Sequence, residues 1–134
     1  MTTTATGVAI HELVPLLIVE DIERSAAFYR NKLGFQMTQQ WQPDGKLGWC
    51  RLVRDASAIM LQQACEEDGP AAGRGHGVSF FFNCNDATRL HSELTARGLT
   101  VAPPQAAFYG MNQIFLRDPD GYELCFQSAI ATGS

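Results

Sequence analysis

Apolar residues along this chain follow two periods, and the helical one interrupts the strand one twice. Leu13 to Val19 is a short apolar run that stops at Glu20-Asp21, the pattern of a buried strand. Pro15 within it predicts an edge position, because proline has no N–H to give a ladder. Asp21 suits a helix N-cap, and Ile22, Ala26, Tyr29 and Leu33 then recur at helical spacing. Arg30 and Lys32 stand where the helix dipole favours cations, and Gly34 supplies the stop. Three strand-like segments follow at about 36–42, 47–54 and 58–63. They are turned by Pro43-Asp44-Gly45 and by Arg54-Asp55-Ala56-Ser57. The unit reads β-α-β-β-β.

The same order then begins again. After acids at Glu66, Glu67 and Asp68 and a glycine-rich stretch through Gly77, Val78 to Cys84 reads as a strand. Asp86 caps a helix that turns Ala87, Leu90 and Leu94 inward and ends at Gly98. Pro103-Pro104 interrupts an irregular strand. Gln113 to Arg117 and Tyr122 to Gln127 are strands joined by Asp118-Pro119-Asp120-Gly121, a tetrad suited to a type I turn. His11 and His76, Val14 and Ser79, Asp21 and Asp86, and Met60 and Cys125 are each separated by the same 65 positions. A repeat near half the chain length predicts two copies of one unit. The modules are about 8–66 and 76–130 with a seam at 67–75, together forming one domain over 8–130.

Composition narrows the function classes. A chain of 134 residues with 46% hydrophobic and 18% charged residues is an ordered globular domain. Its net charge of −4 argues against nucleic acid or an anionic membrane as partner and favours a neutral or cationic small ligand. The four cysteines form no CxxC pair, and Cys50 and Cys84 lie in apolar runs, which predicts reduced core thiols. No leader or membrane-length apolar stretch is visible, which predicts a cytoplasmic protein. Residues 1–7 read as a tail.

Taken together these motifs resemble the vicinal-oxygen-chelate superfamily, which includes glyoxalase I, type I extradiol dioxygenases and bleomycin-resistance proteins. The resemblance rests on Val14-Pro15-Leu16-Leu17-Ile18-Val19-Glu20-Asp21, Ser25, Phe28-Tyr29 and Leu33-Gly34-Phe35. Late in the chain it rests on Phe115 through Tyr122 and on Leu124-Cys125-Phe126. It implies an α+β fold of two tandem βαβββ modules, whose mixed sheet curves into a cup with helices outside and ligand within. In metal-using members of that family, each module supplies one ligand from its first strand and one from its last. Those positions here are Val14, Met60, Ser79 and Cys125. Valine has no donor, a thioether is weak, and only Cys125 is a serious ligand, so the set does not suit a catalytic divalent ion.

What remains resembles the bleomycin-resistance-like branch. That implies a homodimer that binds a small aromatic or amphipathic molecule and sequesters it without a protein-held metal. Strand alternation places Val14, Leu16, Met60, Gln62, Ser79, Phe81, Glu123, Cys125 and Gln127 on the cup face. Phe108, Tyr109 and Met111, on and after a glycine-containing loop, are further ligand candidates. Trp41 and Trp49 read first as packing residues, at a strand end and in the core, and second as stacking faces. Cys125 reads as a pocket wall rather than a nucleophile, and His11 and His76 as loop histidines. Two alternatives stand beside this reading. One is a metal-dependent lyase, isomerase or dioxygenase with an atypical site built from His11 or His76 and Cys125. The other is a ligand-free interaction module whose cup is filled by side chains.

Overall fold

The computed structural model describes residues 7–130, so most of the segment read as an N-terminal tail lies outside the described residues. The first strand, β1 (Leu16–Val19), leads into α1 (Ile22–Ala27), which continues as a π-helical turn over Phe28–Lys32. The Asp21 carboxylate accepts a hydrogen bond from the Arg24 N–H at 3.2 Å, the N-cap expected of it. Gly34 ends the run at φ +75°, a conformation that other residues adopt only at a cost. Three strands follow, β2 (Gln36–Trp41), β3 (Trp49–Arg54) and β4 (Ser57–Gln63). The second module repeats the order as β5 (Ser79–Asn83), α2 (Ala87–Ala96), the two-residue β6 (Gln105–Ala106), β7 (Met111–Arg117) and β8 (Glu123–Ala129). Residues 13–15 lie outside the strand, although the Pro15 carbonyl accepts from the Met60 N–H, so the first strand is shorter than predicted. Met111 and Asn112 instead join β7, which starts earlier than the sequence pattern suggests.

Each module is a four-stranded mixed sheet, ordered β1-β4-β3-β2 and β5-β8-β7-β6. The first strand of each unit runs parallel to the last, and the remaining pairs are antiparallel. Successive side chains point to opposite faces, so the register sorts every residue. Leu17, Val19, Cys50, Leu52, Ile59 and Leu61 point to the helix side of the first sheet and are buried. Ile114, Leu124 and Phe126 do the same in the second, beneath Leu90 and Leu94 of α2. Each such aliphatic side chain contributes about 1.5–3 kcal/mol by leaving water. Among the described residues no helix is long and apolar enough to cross a membrane.

The modules meet on this helix side. Phe35 packs edge-on against Phe82 with ring centroids 6.0 Å apart. Arg54, at the end of β3, forms a two-point ion pair with Glu93 of α2 at 2.8 and 2.9 Å. Lys32 donates to the Arg97 carbonyl at 3.0 Å, so the C-terminal ends of the two helices touch. The turn between β7 and β8 reaches back to α1. Tyr29 Oη donates to Asp118 Oδ2 at 2.6 Å, and Ser25 Oγ donates to Asp120 Oδ2 at 2.9 Å. Asp118 Oδ1 also accepts the backbone N–H groups of Asp120 and Tyr122. Type I turn chemistry alone accounted for this tetrad in the sequence. The structure gives its two carboxylates a second task, fastening one module to the other.

Candidate functional site

Because the helix sides share one core, the opposite faces of the two sheets look outward, and these are the faces that carry the predicted site. In the first sheet Leu16 lies opposite Met60, and Trp49 lies between Trp41 and Gln62. These five side chains share one face. Trp49 is not core: Cys50 and Leu52 take the helix side, and alternation turns Trp49 the other way. Trp41 is 62% exposed rather than packed. Arg51 projects from the same face opposite Met60 and Gln39, a residue that the sequence reading passed over. Its position two residues after Trp49 was signal enough to place it there. Val14 sits partly buried just before β1.

The second sheet is divided into three zones. At one end Ser79 donates to Glu123, which also lies 3.8 Å from Arg117. In the middle Phe81 and Phe115 flank Cys125 in the register and meet edge-on, 6.4 Å between centroids. At the other end Gln113 donates to Gln127 at 2.9 Å, and Gln127 donates to Asn83 at 3.0 Å. The Gln113 amide also bonds the Tyr109 hydroxyl, which draws Tyr109 to the margin of this face. Met111 lies opposite Ala129 beyond that amide chain. Phe108 stays fully exposed on its loop, touching Tyr109 edge-on.

Cys125 is closed off. It is fully buried, with the two phenylalanines beside it, and burial together with the nearby Glu123 pushes its thiol up to about 11. A thiol so raised is neutral at physiological pH and is a poor nucleophile. The four positions that bear metal ligands elsewhere in the resembled family therefore hold a valine, a methionine, a serine paired to Glu123, and a buried thiol. They are also divided between two separate sheets. This donor set does not fit a divalent ion. His11 and His76 are both exposed, and among the described residues no three His, Cys, Asp or Glu side chains gather as a metal cluster.

On both faces, large side chains among the described residues stand open to water. A cleft of about 560 Å³ does open between the modules on the helix side, near Phe35, Arg54, Phe82, Arg89 and Glu93. It contains none of the predicted site residues. On the outward faces, by contrast, Leu16 is 45%, Phe81 49% and Phe115 46% exposed. Large apolar side chains are thus grouped in water on the outward faces, away from the shared core.

Residues 9–126 match the model of the Glyoxalase/Bleomycin resistance protein/Dioxygenase superfamily, and the chain belongs to that family. Its fold is shared by several solved structures. A glyoxalase/bleomycin resistance protein/dioxygenase from Nocardioides superposes with a TM-score of 0.70 at 18% identity, covering 96% of this chain and 90% of that one. The bleomycin-binding protein of bleomycin-producing Streptomyces verticillus, solved with copper(II)-bleomycin, gives 0.69 at 18% identity, with 93% and 99% covered. TnmS3, an antibiotic binding protein from a Streptomyces species, gives 0.69 at 20% identity, with 92% and 99% covered. At these identities the likeness is one of fold. No curated protein matches the chain in sequence.

Proposed function

We propose that this protein is a homodimeric small-molecule binding protein that holds an aromatic or amphipathic ligand without a protein-held metal. The outward face of the first sheet of one copy would meet the outward face of the second sheet of the other, twice over. The observation that carries this reading is the pair of outward faces, each with large, half-exposed apolar side chains set among polar groups. A ligand pocket needs that combination of apolar wall and sparse, placed polar atoms. Indoles at Trp41 and Trp49 and rings at Phe81 and Phe115 supply flat surfaces for stacking. The unsuitable donor set and the raised Cys125 thiol favour holding the ligand over converting it. Relatives whose solved structures are described as bleomycin-binding or antibiotic-binding make the same use of the fold plausible here.

The test is tryptophan fluorescence of the purified protein titrated with a panel of aromatic antibiotics, with metal analysis of the same sample. The reading expects saturable quenching and metal well below one ion per chain. Stoichiometric metal that leaves on His11→Ala or His76→Ala would support the enzyme alternative instead.

A further inference from the structure

The outward face of the first sheet carries one cation, and its partner is loosely held. Arg51 emerges beside Met60 in the middle of the sheet, in the same row as Trp49 and next to the Trp41–Trp49 pair. Its side chain is 26% exposed, and among the described residues its one ion-pair partner is Glu12, at 3.3 Å through a single guanidinium nitrogen. Glu12 lies on the segment before β1, where Val8, Ile10 and Leu13 are almost fully exposed. That segment is rooted by the Pro15 carbonyl, which accepts from the Met60 N–H at 2.9 Å, the residue opposite Arg51. The charges of the second sheet's outward face are different, because Glu123 is engaged by both Ser79 and Arg117.

We infer that Arg51 anchors the acidic group of a planar aromatic ligand, and that Glu12 competes with that group for the guanidinium. This rests on the binding reading above and adds the ligand's charge. A guanidinium offers a planar fork that matches a carboxylate or sulfonate at two points, and Glu12 uses only one of them. A half-exposed ion pair is weak and exchanges readily. Two indoles beside the cation accept the flat ring that carries the acid. Net negative charge on the whole chain therefore does not decide the ligand's sign. The local field at Arg51 does.

Two fluorescent probes of the same ring size separate the contributions: the anionic anilinonaphthalene sulfonate and its uncharged analogue phenylnaphthylamine. Titrating the full-length protein with each, the inference expects Arg51→Gln to weaken sulfonate binding about tenfold, the value of a charge-assisted contact, and to leave the neutral probe unchanged. Arg51→Lys should restore part of the loss. Glu12→Gln should tighten the sulfonate by about two- to fivefold, the range of an exposed ion pair. Equal effects of Arg51→Gln on both probes, or no effect on either, would overturn the inference while leaving the binding reading intact. So would weaker sulfonate binding by Glu12→Gln. If neither probe binds the unaltered protein, the binding reading falls and this inference with it.

Discussion

The two sides of each sheet follow the same alternation and meet opposite fates. On the helix side, apolar residues are buried and even charged groups find partners: Asp118 accepts three hydrogen bonds, and Glu93 grips both Arg54 and Arg97. On the outward side, large rings stay half in water and a guanidinium rests on a single exposed carboxylate. A sheet needs only one covered face to fold. The other is free to specialise, and here the two modules have specialised it differently: indoles and a cation in the first, a phenylalanine pair and an amide chain in the second.

Substitutions can break this contrast at several strengths. The largest effect belongs to the helix side. Leu61→Ala should cost about 2–5 kcal/mol in urea unfolding, whereas Leu16→Ala, one strand over and facing outward, should cost well under half of that at protein concentrations low enough to hold the chain as a single copy. Equal losses at both positions would mean that the two sides are not distinct. Next comes the fastening between modules. Asp118→Ala strands the Tyr29 hydroxyl and two backbone N–H groups, and a loss of about 2–4 kcal/mol is expected from the same unfolding curves.

On the outward side, Trp49→Ala should weaken binding of an aromatic ligand by roughly tenfold while moving the unfolding midpoint little. A large fall in stability without loss of binding would return Trp49 to the core role that the sequence suggested first. Thiol chemistry sharpens the picture in the second module. Iodoacetamide followed by mass spectrometry should label exposed Cys65 long before buried Cys125, whose thiol is held up near 11. The Phe81→Ala and Phe115→Ala pair should open Cys125 to the reagent.

The smallest effect is one of pH. Hydrogen bonding from Arg54 holds the Glu93 carboxyl below its ordinary value of 4.5. A depressed carboxyl adds stability above its unfolded pKa, and this is lost as pH falls through the lower folded value. The loss of stability between pH 7 and pH 3 should be smaller in Glu93→Gln, by under about 1 kcal/mol.

Much of this was visible in the order of residues. The repeat, the caps at Asp21 and Asp86 and the alternation of β1, β4 and β8 place the outward face residue by residue, because a strand has only two sides. What escaped depends on pairings across long distances. Tyr29 and Asp118 are joined across 89 positions, and no local pattern announces that a turn aspartate will meet a helix tyrosine. The burial of Cys125 follows from Phe81 and Phe115 on the two neighbouring strands, which only the register brings together. Trp49 was misread for a different reason. Flanking leucines suggest a core, but Leu52 and Trp49 are three apart and an odd step changes faces, while Leu47 lies before β3 begins, where alternation does not apply. In β2 the register shifts between Met37 and Gln39, so alternation alone would have failed there.

The central claim is that the two outward faces cover one another between copies of the chain. Light scattering of the purified protein at tens of micromolar tests it most directly. The account predicts a particle of twice the 14.7 kDa chain mass, reduced toward the single chain by charged substitutions at Leu16 or Phe115. A stable particle of 14.7 kDa in the unaltered protein would contradict it.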